Sequence, residues 1–113
     1  MDCLFCKIAN GTIPGEIVYQ DDDVIAFRDI SPHAPQHHLI IPRKHISTIN
    51  DFTEEEAELF GKLGLAAKKL AKQLGVDESG YRVVMNCNED GGQTVFHVHM
   101  HFLAGRSLAW PPG

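Results

Sequence analysis

The chain has 113 residues, 43% of them apolar and 22% charged, with a formal net charge of −5. That is enough for one domain over residues 1–113 with one hydrophobic core, in an ordinary globular composition. The acidic balance argues against non-specific nucleic-acid binding, which needs dense Lys and Arg, but a few histidines and backbone N–H groups can still hold one free nucleotide.

The N-terminus, Met1-Asp2-Cys3-Leu4-Phe5-Cys6-Lys7, lacks a charged-then-apolar signal pattern. No apolar run approaches the ~18 residues of a membrane span, so a cytoplasmic location without a membrane partner is expected. An odd number of cysteines in a reducing compartment does not suggest a disulfide framework. Cys3 and Cys6 form a Cys-x-x-Cys with three competing readings: buried small residues, a redox pair, or half of a metal site. A thioredoxin-like pair would follow a strand, and nothing upstream supplies one. Asp2 suits the N-cap of a short helix over Cys3–Ala9 that Asn10-Gly11 ends. Leu4, Phe5 and Ile8 form its apolar face, joined by Ile13.

Ile17–Gln20 and Val24–Asp29 read as a hairpin around the acidic turn Asp21-Asp22-Asp23. Ile25, Phe27 and Asp29 share a face, and Asp29 also fits a plain turn residue in Asp29-Ile30-Ser31-Pro32. Ser31–Gln36 is a proline-bearing loop, followed by a strand over His37–Pro42. His33 and His38 are expected to face solvent, and His45 falls just beyond the strand. Thr53-Glu54-Glu55-Glu56 is a capping box, and Leu59, Leu63, Ala66, Leu70 and Leu74 follow at helical spacing to Gly75. The spacing predicts a helix of roughly 22 residues, about 33 Å long, with acids early and lysines late to match its dipole. Tyr81–Asn86 is a fourth strand, and the Cys87–Gly92 turn leads into the last one.

That last stretch is Gly91-Gly92-Gln93-Thr94-Val95-Phe96-His97-Val98-His99-Met100-His101-Phe102-Leu103. Its period of two predicts a strand with Val98, Met100 and Phe102 toward the core and three histidines on the opposite face. At about 3.3 Å per residue, His97 and His101 stand roughly 13 Å apart, so the three rings cannot readily share one ion. Different tasks for the three are expected. The whole pattern reads as α+β: a five-stranded, mostly antiparallel sheet with one long helix and a short N-terminal helix.

His97-Val98-His99-Met100-His101-Phe102-Leu103 resembles the signature of the histidine triad family at every position. Gly91-Gly92-Gln93-Thr94 and the terminal Trp110-Pro111-Pro112-Gly113 resemble its Hint branch, and the similarity runs from about Asp2 to Gly113. The resemblance implies hydrolysis of purine nucleoside phosphoramidates through a covalent nucleotidyl-histidine, with His99 as nucleophile. It implies support from His101, Thr94 and His37, where the branch often has serine in place of Thr94. Leu4, Phe5, Ile8, Ile13, Phe27 and Ile30 would wall the base pocket, and Asp29 would bind the ribose hydroxyls. Asn86, Gly92, Gln93 and Thr94 would serve the phosphate. A homodimer is implied, its C-terminal tail with Trp110 reaching the neighbouring subunit's site. The expected small-molecule partners are purine nucleoside monophosphates or phosphoramidates.

Cys3, Cys6, His45 and His97 are candidate ligands for one structural zinc per chain. Two thiolates at this spacing suit one ion, and His97 is the triad member left without a chemical task. Family members that bind metal carry matching positions. No cofactor is expected for the chemistry itself. A non-catalytic nucleotide sensor and a zinc-dependent hydrolase are the competing classes.

Overall fold

Five segments pair antiparallel into one sheet: β1 (Ile17–Gln20), β2 (Val24–Arg28), β3 (Gln36–Pro42), β4 (Tyr81–Val84) and β5 (Met100–Ala104). Their order is β1-β2-β3-β5-β4, so β3 is central. The computed structural model describes residues 3–113. The β1–β2 turn forms as expected: Asp21 Oδ1 accepts from the N–H groups of Asp23 and Val24 at 2.9 and 2.8 Å. A short acidic side chain thereby stands in for backbone partners that a tight turn lacks.

The helices are α1 (Leu4–Ala9), α2 (Ala57–Gln73) and a single turn, α3 (Asn88–Gly91). On one face of the sheet, Leu63, Ala66, Ala67, Leu70 and Ala71 of α2 pack against Val24, Ala26, Ile40, Phe102 and Ala104. On the other face Cys3 and Phe5 cover Ile25, Phe27, Leu39 and Ile41. The alternation along β2 and β3 thus feeds two apolar layers. The functional residues lie on the α1 side.

Three expectations need correction. The long helix is 17 residues, because Glu56 has φ −104° and ψ 12° and interrupts it. The Thr53–Glu56 box does form, with Glu56 Oε1 accepting from the Thr53 N–H at 3.0 Å, but it closes a 3-10 turn over Glu54–Glu56. His38 does not face solvent: it is 2% exposed, because β3 has a strand on each side and a layer on each face. The last strand starts only at Met100, after His97 and His99. Pro42 ends β3 and has no N–H to offer the ladder, and the Val98 N–H pairs with the Ile46 carbonyl at 2.6 Å instead.

Helix α1 starts at Leu4, and its N-cap is Cys3, whose Sγ accepts from the Cys6 N–H at 3.4 Å. Asp2, the expected cap, lies outside the described residues. Among the described residues no helix is long and apolar enough to cross a membrane.

Candidate active site and metal centre

A cleft of about 770 Å³ opens between α1 and the sheet. Leu4, Phe5 and Ile8 of α1 face Phe27 and Leu39 of the sheet across it, and Asp29, Asn86, Thr94, His99 and His101 supply polar groups. Gly92 and Ile30 also border it, Ile30 almost fully exposed at 98%. An apolar floor with a few converging polar groups is the usual make-up of a small-molecule site. Sequence reading missed Leu39, Val95 and the Pro14-Gly15-Glu16 rim. The Pro-Gly pair was the available signal: a Cβ on Gly15 would come within 2.9 Å of Ile8 Cγ2, so glycine lets the rim close on α1.

His99 is buried, and its ring is fixed on two sides. Nδ1–H donates to the His97 carbonyl oxygen at 2.8 Å. The edge of Phe5 meets the imidazole at 90° with centroids 5.1 Å apart. A neutral ring has one proton, so the Nδ1 bond leaves Nε2 with a lone pair. A neutral imidazole nitrogen bordering an apolar cleft is a competent nucleophile near pH 7.

The neighbouring rings are ordered by the same accounting. The His33 N–H donates to His37 Nδ1 at 3.0 Å, so His37 carries its proton on Nε2. That Nε2–H donates to His101 Nδ1 at 2.9 Å, which leaves the His101 proton on Nε2. Asp29 Oδ2 lies 3.4 Å from His37 Nε2. Burial lowers the His37 pKa against the pull of Asp29. Burial, reinforced by His99 and His37, lowers that of His101 to about 4. Both rings are therefore neutral at physiological pH. The ligand atoms of Asp29, His37 and His101 lie within 4.8 Å of one another. Yet His37 Nε2 carries a proton and offers no lone pair, so the trio is a hydrogen-bond relay and not a cation site.

The loop before the triad departs from expectation. The Gly92 N–H donates to the Glu89 carbonyl at 2.9 Å and the Gln93 N–H to the Asn88 carbonyl at 3.0 Å. The Gln93 side chain is turned inward, accepting from Asn88 N–H and donating to the carbonyls of Ser47 and Val95. Gln93 therefore braces the loop, and its donors do not face the cleft. Gly92 has φ +86° at the C-cap of α3, a conformation that favours glycine. Thr94 takes part in none of these bonds and borders the cleft. Ile13 and Trp110 do not border it, and Trp110 is 80% exposed over the Arg82 guanidinium.

Behind Phe5, one ligand atom from each of Cys3, Cys6, His45 and His97 lies within 4.8 Å of the others. His97 Nδ1 is 3.5 Å from both sulfurs, and His45 Nδ1 is 3.4 Å from Cys6 Sγ. Zn–S and Zn–N bonds of about 2.3 and 2.0–2.1 Å at tetrahedral angles give an S···N edge of roughly 3.6 Å. The four side chains can bind a metal, and the donor set fits zinc. Both rings are turned to suit: His97 Nε2–H donates to the Pro42 carbonyl at 2.8 Å, and His45 Nε2–H points at Ser47 Oγ at 3.4 Å. Each Nδ1 lone pair is thereby aimed at the sulfurs, as outer partners commonly arrange. Burial pushes the Cys6 thiol pKa up, and Cys3 adds to this.

A family model described as HIT domain matches residues 10–108. The purine nucleoside phosphoramidase of Escherichia coli K12 is 52% identical over 107 residues, spanning 95% of this chain and 90% of that protein. A HIT family hydrolase from Legionella pneumophila Philadelphia 1 superposes with a TM-score of 0.97 at 54% identity, covering 99% of this chain and 100% of its own. A histidine triad protein from Clostridium difficile gives 0.94 at 48% identity, over 96% of this chain and 95% of its own.

Proposed function

The chain belongs to the HIT-domain family, and on that premise we propose that it is a purine nucleoside phosphoramidase working through a nucleotidyl-histidine intermediate. The observation that carries this reading is the His99 ring, whose Nδ1–H is held by the His97 carbonyl at 2.8 Å while the ring borders the cleft. The Nε2 lone pair attacks the phosphorus of a bound nucleoside phosphoramidate. The P–N bond breaks, and the leaving nitrogen takes a proton delivered through the Thr94 hydroxyl. Water then attacks the phosphorus, the P–Nε2 bond breaks, and the nucleoside monophosphate leaves as its extra proton passes to solvent. The His101 Nε2–H donates to a phosphoryl oxygen throughout, where the charge develops.

The base lies between Leu4, Phe5 and Ile8 on one side and Phe27 on the other, and Asp29 accepts from the ribose hydroxyls. The apolar floor supports the first assignment, and a carboxylate on the polar rim supports the second. Asn86 and Thr94 face the phosphate. A structural zinc is held by Cys3, Cys6, His45 and His97 and takes no part in the chemistry. Reduced thiols of that kind suit a cytoplasmic enzyme.

The functional unit is a homodimer. Its support is the free outer edge of β4, the exposed apolar Tyr81, Val83 and Leu65, and Trp110 standing outside its own chain's cleft. The tail completes the partner subunit's site.

The test is turnover of adenosine 5′-phosphoramidate by wild type and by His99→Ala. Wild type hydrolyses it, and a rapid alkaline quench traps one adenylyl group on the peptide bearing His99. His99→Ala still binds AMP and loses turnover by at least about a thousandfold, since the loss falls on the transition state. AMP binding without any turnover by wild type would make the protein a nucleotide-binding module.

A further inference from the structure

We infer that the sugar hydroxyls of a bound nucleotide switch the hydrogen bond between His37 and His101, with Asp29 as the coupling residue. The inference rests on the nucleotide reading of the cleft and adds a catalytic consequence to sugar recognition. His37 has one proton on Nε2 and two acceptors for it. His101 Nδ1 lies at 2.9 Å and the Asp29 carboxylate at 3.4 Å. The second is farther away but charged, and bonds to ionised acceptors are roughly twice as strong as neutral ones.

The rest of the geometry keeps this competition in place. The His33 N–H holds His37 Nδ1 at 3.0 Å, so the His37 proton cannot move to its other nitrogen without losing that bond. The Ser31 N–H holds Asp29 Oδ1 at 2.8 Å, which keeps Oδ2 turned to His37. Asp29 and His101 both border the cleft, whereas His37 is 3% exposed and does not. A ligand can act on His37 only through those two neighbours.

With the sugar site empty, Asp29 draws the His37 proton, and His101 Nδ1 is left poorly paired. The His101 proton is then free to sit on either nitrogen. When it sits on Nδ1, the lone pair on Nε2 faces the phosphate and repels it. Two sugar O–H groups donating to Asp29 satisfy its oxygens and weaken its pull. The His37 proton then goes wholly to His101, and the His101 proton is fixed on Nε2. Binding of a non-reacting part of the substrate is thus converted into stabilisation of the phosphoryl transition state.

The experiment compares the phosphoramidates of adenosine and 2′,3′-dideoxyadenosine at saturating concentration in single turnover, for wild type and Asp29→Ala. Wild type loses about tenfold in the single-turnover rate without the diol, the order expected for one mispaired hydrogen bond. Asp29→Ala turns over the two substrates at the same rate. Ring ¹⁵N NMR gives the second readout. AMP moves wild-type His101 fully to the Nε2–H tautomer, 2′,3′-dideoxy-AMP leaves it mixed, and in Asp29→Ala the tautomer is the same with either. The wild-type measurements suffice if Asp29→Ala does not fold. A dideoxy substrate that binds more weakly but reacts at the full rate would overturn the coupling and leave Asp29 as a simple sugar ligand. Unchanged affinity as well as unchanged rate would remove the sugar from Asp29, and the inference with it.

Discussion

The guanidinium of Arg106 donates to the carbonyl oxygen of His33 at 2.8 Å, and the N–H of that same residue is the group that holds His37 Nδ1. An exposed arginine beyond the end of β5 is therefore one peptide unit away from the relay that orients His101. Its neighbour Gly105, at φ +97°, lies against Pro35, where an added Cβ would come within 2.8 Å of the proline Cβ. Together they fasten the loop between β2 and β3 over the site.

Arg106→Ala should lower kcat by about three- to tenfold, the equivalent of roughly one hydrogen bond, and shift Tm by less than about 2 °C. Arg106→Lys keeps a donor and should recover part of the loss. The check is kcat and Tm for both variants, with the His37 tautomer read by ring ¹⁵N NMR. An unchanged tautomer in a slowed Arg106→Ala enzyme would break the link through His33.

His38 should be a stabilising position to replace. Its Nε2–H donates to Gln36 Oε1 at 2.7 Å, but Nδ1 is buried without a hydrogen-bond partner. Leaving such a group unpaired costs roughly 1–3 kcal/mol, while Gln36 is half-buried and can turn to water. His38→Leu is close in volume, packs toward Phe102, and should raise Tm by roughly 4–8 °C. A lower Tm in thermal unfolding at pH 7.5 would show that the Gln36 bond outweighs the orphaned nitrogen.

His37 and His38 also mark the limit of what the sequence made legible. Neighbouring strand residues point to opposite faces, so alternation suggested that one of the pair was outside. That inference needs one face of β3 to be open, and α2 covers the face that carries His38. The β1–β2 hairpin was readable because Asp21 bonds two and three residues ahead. The triad alternation was readable too, along with the need to split its rings between tasks. The departure of His97–His99 from the ladder was not, because it depends on Val98 finding Ile46. Nor was the inward turn of Gln93, or the His33 N–H that sets two tautomers. These are tertiary contacts between backbone groups, and every residue type has those groups.

Stability should fall on the acid side in a window set by the buried rings. Burial lowers the pKa of His37 and His38 and brings that of His101 to about 4. An unfolded histidine titrates near 6.5, so below that pH the unfolded chain binds protons that the folded chain refuses. The histidine contribution is fully present above about pH 6.5 and is lost as pH falls toward 4. Tm measured from pH 8 to 4 should be flat at first and then decline through that interval. The decline should be shallower in His38→Leu, and an equal slope would assign the acid sensitivity to other groups.

Removing zinc should unfold the protein more readily before it slows the chemistry. Cys3 and Cys6 sit at the N-cap and first turn of α1, while His45 follows β3 and His97 precedes β5. A metal on these four side chains would tie the N-terminal segment to two places in the sheet, and a closed four-ligand site contributes directly to folding. Chelation should therefore lower Tm by about 10 °C or more. Phe5 and the His97 carbonyl both touch His99, so some loss of rate will follow once α1 loosens. The two effects are separable by temperature. At 15 °C, where the apo protein stays folded, kcat should fall by less than about threefold, because no step of the reaction passes through the ion. Cys3→Ser gives the sharper comparison. Serine is a good N-cap, so this variant keeps the Cys6 N–H paired and the helix started, and it loses only the thiolate. It should show the apo Tm, bind well under one equivalent of zinc, and turn over normally in the cold. Zinc analysis of protein purified without chelator supplies the baseline. Less than a tenth of an equivalent per chain, with Cys3 and Cys6 freely alkylated in the folded state, would mean that the four side chains hold no metal.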